Sequence, residues 1–354
     1  MVSETLALGR SSNAVRRIDP FLWAALLCWW GLVALMTGLP DKQIGFAAPR
    51  FVNETHAFFI ALASLLTVLV LAASAAPHLK LWQPLKTSAR WLVVLALLVG
   101  IWEYVTAKQA LLPAPFFAPP RALLEAYATD WPRLLDSVLN SLRLLAIGFA
   151  FGSVVGFITG VAIGWSRGLG YWVHPVLRFL GPVPSTALLP LSLYFFPSSF
   201  SAAVFLIALA TWFPVTVLTW SGVASVDNRY YDVARTLGAN ALFLVLRVAV
   251  PAALPHLFVG LFMGLGASFS VLVAAEMMGV KSGLGWYLQW AQGWAAYANM
   301  YAALIVMALL CSSLITLLFI VRDRTLAWQR NAVKWLSHFY LSEDKKWLHL
   351  FIIQ

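Results

Sequence analysis

The sequence predicts an all-α fold, a polytopic membrane helix bundle of about eight transmembrane helices. Two observations support this prediction. Of the 354 residues, 61% are hydrophobic and only 11% are charged, whereas soluble domains carry about 25% Asp, Glu, Lys and Arg. In addition, eight apolar segments approach the roughly 20 residues that a helix needs to cross a bilayer. This composition excludes a disordered chain, a fibrous repeat and an ordinary soluble enzyme.

The eight segments divide into a membrane extension of two helices in residues 1–90 and a core of six helices in residues 91–321. We expect the first segment to be a membrane helix and not a secretory signal, since no small-residue cleavage site follows it. The fifth segment is interrupted by Pro175, Pro182, Pro184 and Pro190. The predicted spans are Phe21–Leu39, Ala57–Ala76, Trp91–Ala107, Leu144–Trp165, Val173–Phe196, Ala202–Val223, Leu257–Met278 and Tyr301–Val321.

Basic residues predict the orientation of these spans, because short cytoplasmic loops are enriched in Lys and Arg. With the N-terminus inside, 17 of the 24 basic residues fall on the cytoplasmic side and 7 outside, while the 14 acidic residues divide evenly. We therefore expect both termini in the cytoplasm. The net charge of +10 then faces anionic membrane lipid, and no nucleic-acid partner is expected. Residues 322–354, which alternate aromatic and basic residues, are expected to form a cytoplasmic amphipathic tail.

Signatures of catalysis are absent from the sequence. It contains no G-x-x-x-x-G-K-[ST] phosphate-binding loop, no H-E-x-x-H zinc motif and no nucleophile elbow. Cys28 and Cys311 each lie in an apolar segment, which excludes a disulfide framework and a metal quartet. We therefore predict no catalytic residue, no metal site and no directly bound cofactor. An ATP-driven activity would need ATP and Mg²⁺ on a separate ATPase subunit.

Glycines recur at every fourth residue through the fourth span. On a helix this spacing makes a stripe nearly free of side chains, so that another backbone can approach closely. The stripe indicates either dense helix packing alone or a sliding contact in a moving bundle. Its members are Gly148, Gly152, Gly156, Gly160, Gly164 and Gly168.

A long cytoplasmic loop, residues 225–255, carries the signals of a structured helical hairpin. Asp227 is expected to cap a helix over Asn228–Leu237, and Gly238 to supply the left-handed turn that ends it. Asn240 is expected to cap a second helix that ends before Pro251. Two interpretations remain open here, an amphipathic hairpin resting on lipid or a docking site for a soluble partner. In the second interpretation Tyr231, Ala234 and Leu237 project outward beside Asp232 and Arg235.

The seventh span carries three polar candidates. Glu276 is an acidic residue inside a predicted span, and an intramembrane carboxylate is a functional-site hypothesis by default. Its position near the outer end also fits a structural bond to a neighbouring helix or loop. Ser268 and Ser270 could line a polar path for a solute, or bond between helices.

The loop also carries a longer pattern, Asp232-Val-Ala, three residues, Gly238, nine residues and Val248-x-Val250-Pro251. It resembles the EAA loop of permease subunits in binding-protein-dependent ABC importers, whose pattern is Glu-Ala-Ala, three residues, Gly, nine residues and Ile-x-Leu-Pro. Both spacings match, and the departures keep charge or apolarity. Other stretches resemble the taurine, alkanesulfonate and nitrate type, namely Ala234-Arg-Thr-Leu-Gly-Ala239, Val250-Pro-Ala-Ala-Leu-Pro255, Pro182-Val-Pro184, Leu188-Leu-Pro190, Trp102-Glu103 and Val273-Ala-Ala-Glu276-Met277.

The resemblance implies a subunit of the bacterial cytoplasmic membrane that works by alternating access. Its expected partners are cytoplasmic ATPase subunits, an extracytoplasmic solute-binding protein and a second permease subunit, expected to be an identical copy. The expected solute is small, and an anion such as a sulfonate, nitrate or bicarbonate fits the family. The residues expected to couple the permease to the ATPase are Asp232, Ala234, Arg235, Gly238 and Pro251.

Two alternatives belong to other functional classes. A membrane sensor or assembly protein could recruit a soluble partner through the same loop without transport. A secondary transporter driven by an ion gradient would be expected to show several intramembrane charges and an internal repeat. The sequence offers few acidic residues within the predicted spans and no repeat.

Overall fold

The computed structural model describes residues 20–42, 51–75, 82–112 and 115–328. Within these ranges the regular structure is helical throughout, which confirms the predicted all-α fold. The helices in chain order are α1 (Pro20–Gly38), α2 (Val52–Ala75), α3 (Gln83–Glu103), α4 (Pro120–Trp165), α5 (Arg167–Leu180), α6 (Leu189–Phe195), α7 (Ser199–Ala224), α8 (Asn228–Thr236), α9 (Ala241–Leu244), α10 (Val250–Met278), α11 (Leu284–Gly293) and α12 (Tyr297–Thr325).

Seven helices of the described ranges are long and apolar enough to cross a membrane. The pair α5–α6 is a further candidate that is bent by 86° at its break. These lengths confirm the prediction of a polytopic bundle with about eight membrane helices. The predicted amphipathic helix of the tail lies outside the described residues, which end at Trp328.

Two helices extend well beyond the apolar centres that the sequence marks. α3 begins at Gln83 and not at Trp91, and it continues into a π-helical turn over Tyr104–Lys108. α4 is 46 residues long, so it begins at Pro120, well before the predicted span Leu144–Trp165. Pro120 opens α4 without loss, because the first helical residue needs no N–H donor. Hydropathy marks only the apolar part of a helix, whereas polar flanks continue the same backbone ladder.

The described chain forms two compact units, and each is described by itself. The first unit holds α1, α2, α3 and the chain up to Pro132, together with residues 290–302. Its core joins all three helices. The rings of Trp29 and Phe59 stack at 6.4 Å, and the small side chains of Ala89 and Ala96 belong to the same cluster. Residue 90 therefore lies within a helix. The division into residues 1–90, 91–321 and 322–354 stays a prediction.

The second unit is built around close contact between α4 and α7. A Cβ added at Gly148 would lie 2.6 Å from Ile207 Cγ2, and one added at Gly164 would lie 2.7 Å from Val223 Cβ. The partners advance together along both helices, so α4 and α7 run parallel. Gly168 falls in α5, outside this contact. The intervening pairs keep the same register, Gly152 with Thr211, Gly156 with Val215 and Gly160 with Thr219.

α10 also packs against α7, and it runs in the opposite direction. Gly222, near the end of α7, faces Ala253 near the start of α10, whereas Gly264 faces Thr211. Hydroxyl groups connect the helices at two levels. Thr211 and Ser268 share a hydrogen bond of 2.5 Å between α7 and α10, and Thr159 Oγ1 accepts one of 3.1 Å from Trp212 Nε1.

The parallel arrangement of α4 and α7 shows whether the segment α5–α6 crosses the membrane. The chain leaves the end of α4 and must return to the other side of the membrane before α7 can begin. α5 and α6, with a short 3₁₀ turn over Ser185–Leu188 between them, provide this return. They are therefore one broken span and not a re-entrant loop. Pro182 and Pro184 lie at its bend, whereas Pro175 lies within α5 and Pro190 in the first turn of α6.

Candidate coupling loop and intramembrane sites

The hairpin between α7 and α10 begins as the sequence predicts. Asp227 caps α8, its Oδ1 accepting a hydrogen bond of 2.9 Å from Arg229 N. Gly238 has φ of +81°, a conformation that side-chain-bearing residues rarely adopt, and it ends the helix. Asn240 Oδ1 then accepts a bond of 2.8 Å from Phe243 N. The predicted caps and turn are confirmed.

The second half of the hairpin differs from the prediction. α9 does not end before Pro251 but passes through a π-helical turn, Val245–Ala249, directly into α10. Pro251 lies in the first turn of α10, where its missing N–H costs least. A π-helical turn contains one residue more than an α-helical turn, so its hydrogen bond runs from Val250 N to the fifth residue before it, Val245 O. The loop is therefore joined to α10 by an unbroken run of helix.

Two residues of α8 that are expected to point outward, Tyr231 and Ala234, point inward. Tyr231 is only 9% exposed and packs with Ala234, Val223 and Ala253 in one apolar cluster. The expectation that Tyr231 and Ala234 project outward is wrong, while Leu237 does project, at 83% exposure. Burial also raises the pKa of the Tyr231 phenol above its ordinary value. Both faces of this helix carry apolar residues, so periodicity alone does not distinguish them.

The outward side of the hairpin forms an exposed apolar face, defined here as Tyr230, Val233 and Leu237 of α8 with Leu242 and Phe243 of α9. Charged side chains lie beside it. Asp232 and Arg235 form an ion pair of 3.3 Å in which both side chains remain more than half exposed. Such a pair contributes little stability because water screens it, so both groups are available to a partner.

Glu276 lies at the opposite end of the second unit and has a complete set of partners. Its carboxylate accepts hydrogen bonds from Ser141 Oγ (2.7 Å) and Gly285 N (2.8 Å). Ser141 Oγ in turn accepts one from Leu284 N (2.8 Å). Glu276 therefore ties α10 to α4 and to the first turn of α11. Of the two interpretations, this geometry is that of a structural bond.

Ser268 and Ser270 have different surroundings. Ser268 is fully buried and bonds to Thr211 and to Gly264 O. Ser270 lines a cavity of about 410 Å³ at the bend of the broken span. The described residues lining it carry no charge, and their polar groups are hydroxyls and one indole. The lining includes Gly181, Pro184, Ser185, Thr186, Trp212, Met263, Ala267 and Ser270.

Comparison with known proteins identifies the family. Residues 152–327 match the binding-protein-dependent transport system inner membrane component family. A probable ABC transporter permease protein of Brucella abortus is 31% identical over 235 residues, which are 66% of this chain and 93% of that protein. The chain belongs to this family of permeases. A nitrate import permease protein of Synechococcus elongatus is 27% identical over 72% of this chain and 92% of its own length.

A bicarbonate transport system permease protein of Synechococcus elongatus is 32% identical over 55% of this chain and 68% of its own length. These likenesses confirm the resemblance read from the loop motif, and they do not favour the sensor or the secondary transporter. The family match covers the α8 hairpin, the cavity and Glu276. Helices α1, α2 and α3 precede the residues matched by the family.

The sequence does not predict two features of the structure. One is the contact of Tyr231 with Trp165, the last residue of α4, whose rings meet edge to face at 5.7 Å. The other is the group of charges around Lys108 in the first unit. Both depend on residues far apart in the chain, and neither leaves a local pattern.

Proposed function

We propose that this permease imports a small anion, such as nitrate, bicarbonate or a sulfonate, in a cycle driven by a separate cytoplasmic ATPase. The observation that carries the proposal is the α8 hairpin, which is capped at both ends and presents the exposed apolar face to the outside of the bundle. An apolar face on a capped helix suits a protein groove. The solute class rests on the names of the relatives.

The coupling residues divide by role in this proposal. Asp232 and Arg235 are exposed and would contact the ATPase beside the exposed apolar face. Gly238 and Pro251 set the angles at which the hairpin leaves α8 and enters α10. Ala234 acts from within, because it packs against the membrane helices.

The remaining subunits follow from membership of the family. ATP and Mg²⁺ would be held by the ATPase, so the permease itself would bind no cofactor and catalyse no reaction. A solute-binding protein would deliver the anion outside, and a second permease, taken as an identical copy, would complete the pathway. The bias of 17 basic residues against 7 supports cytoplasmic termini and a cytoplasmic α8.

The cavity at the broken span is the proposed stretch of the solute path within one subunit. Hydroxyl groups of Ser185, Thr186 and Ser270 can donate hydrogen bonds to an anion. The uncharged lining suits transit, because a site that passes a solute onward must bind it weakly. Selection of the solute would then fall to the binding protein. Ser268 and Glu276 stay in structural roles.

The test is copurification from native membranes through this subunit. Leu237→Asp places a charge in the centre of the exposed apolar face, whereas Leu237→Met keeps its volume and apolarity. The expected result is an ATPase that copurifies with the unmodified protein and with the Met variant, and is lost from the Asp variant. ATP-dependent uptake of labelled nitrate and bicarbonate is measured on the same strains. An ATPase that remains bound to the Asp variant contradicts the proposal.

A further inference from the structure

The hairpin that meets the ATPase is covalently continuous with only part of the second unit. Its first end follows α7 through residues 225–227, and its second end runs through α9 into α10. α4 and the broken span α5–α6 have no such link to it. A displacement of α8 therefore reaches them through contacts between packed helices.

One ring contact joins α8 directly to α4. In α8, which is described in full, Tyr231 is the buried side chain, and its ring meets Trp165 at 5.7 Å with an interplanar angle of 71°. This is an edge-to-face pair, an arrangement that aromatic rings prefer. Val161, one turn earlier on α4, joins the same apolar cluster.

Trp165 lies at the junction between α4 and α5. It is the last residue of α4, and the preceding residue, Gly164, packs directly on Val223 of α7. The next residue, Ser166, has extended backbone angles (φ −112°, ψ 115°) and caps α5 by accepting a hydrogen bond from Leu169 N. A single residue thus joins α4 to the broken span. Movement of Trp165 changes the angle at that joint.

We infer that Tyr231 and Trp165 are positioning residues that carry the displacement of α8 into the joint between α4 and α5. This inference rests on the proposed function, since it assumes an ATPase that moves α8. Close-packed interiors are stiff and transmit such movements, and packed contacts of this kind take up discrete arrangements when bundles rearrange. The broken span, which lines the cavity, then follows the ATPase through this ring pair.

The experiment follows the broken span directly. The permease is purified with its ATPase and reconstituted in nanodiscs, with Cys28 and Cys311 replaced by Ala and a reporter cysteine introduced by Tyr171→Cys, an exposed position of α5. The rate of modification by a polar maleimide is measured with and without ATP plus vanadate. The modification rate is divided by the amount of copurified ATPase. A variant that no longer binds the ATPase is thereby distinguished from one that binds it but no longer moves the broken span.

The expected result is an ATP-dependent change in labelling that falls about two- to tenfold in Tyr231→Ala and in Trp165→Ala, the loss that corresponds to one aromatic pair. Tyr231→Phe keeps the ring and is expected to keep the change. The double Ala variant is expected to lose no more than either single one. Because Trp165→Ala leaves the sequence of α8 intact, it controls for damage to the hairpin.

Full retention of the ATP-dependent labelling change in Trp165→Ala overturns the inference. The inference is also overturned if the labelling rate of the unmodified complex is the same with and without ATP plus vanadate. Both outcomes are distinct from failure of the proposed function. If the proposed function is wrong, no ATPase copurifies with the unmodified protein and the Leu237→Asp variant makes no difference. If only the inference is wrong, the ATPase is bound and the span moves without the ring pair.

Discussion

Lys108 Nζ lies 2.7 Å from Asp41 Oδ1, although 67 residues separate them in the chain. The same ammonium group donates to the carbonyl oxygens of Met36 (2.8 Å) and Leu39 (2.7 Å) at the end of α1. Arg121, in the first turn of α4, pairs with the other oxygen of Asp41. The π-helical turn Tyr104–Lys108 thus holds a lysine that closes the C-terminal end of α1, where orphan carbonyls favour a cation.

Lys108→Met should strongly destabilise the first unit. Lys108 is only 4% exposed, so its loss leaves the carbonyl groups of Met36 and Leu39 without this donor, while Asp41 keeps its pair with Arg121. A buried polar group left without a partner costs about 1–3 kcal/mol. The measurement is the thermal midpoint of the purified permease in detergent. Lys42→Met is the matched control, because Lys42 makes one exposed bond to Gln109. Equal midpoints for the two variants would contradict this role of Lys108.

Gly156→Ala should weaken the contact between α4 and α7. The added Cβ would lie 2.9 Å from Val215 Cβ and 3.0 Å from Trp212 O, and overpacking of this kind costs about 1–3 kcal/mol. Gly266→Ala on α10 is the control, since nothing lies within 4 Å of a Cβ there. Size-exclusion chromatography in detergent should show loss of the monodisperse species for Gly156→Ala only. If both variants behave alike, the glycine stripe is not a close contact.

Gly238 should tolerate substitution in an order set by its backbone and not by its surroundings. Its φ is +81°, yet an added Cβ would meet open space. Asn enters this left-handed region several-fold more readily than β-branched residues. ATP-dependent uptake and ATPase copurification are therefore expected to decline in the order Gly, Asn, Ala, Val, and Gly238→Asp should also bring a charge to the docking surface. Equal activity of Asn and Val would show that the turn does not need this conformation.

The sequence predicts features whose causes are local and misses those that depend on distant partners. Asp227, Gly238 and Asn240 form the caps and turn expected of them, because each acts on residues within three positions. The inward face of Tyr231 is decided by Trp165, which is remote in sequence.

The same distinction holds within the membrane. Periodic glycines predict a close contact, but not that the partner is α7 or that the two helices run parallel. Prolines mark the fifth span as irregular, whereas the bend of 86° depends on how its halves pack. Hydropathy locates the apolar centre of each membrane helix but not its polar ends. The helices that begin at Gln83 and Pro120 are predicted by hydropathy to begin at Trp91 and Leu144.

Glu276→Leu should destabilise the second unit far more than Glu276→Gln. Leucine removes both acceptors and leaves the O–H donor of buried Ser141 and the N–H of Gly285 without an acceptor, which costs about 1–3 kcal/mol for each group. Glutamine keeps an oxygen that can accept from Gly285 N, and its amide can donate to Ser141 Oγ, which has a second lone pair besides the one used by Leu284 N.

Ser141→Ala completes a double-mutant cycle, because it removes a donor to Glu276 and an acceptor for Leu284 N in one step. We expect the thermal midpoints of Ser141→Ala and Glu276→Leu to fall by less in combination than the sum of the single effects, as for residues in one hydrogen-bond network. Gly283 supports the same network from the turn before α11, since its φ is +105° and the chain there lies so close that a Cβ would strike the Glu276 carboxylate. Additive midpoints would mean that Glu276 and Ser141 act separately, and the start of α11 would then be held by the turn at Gly283 alone.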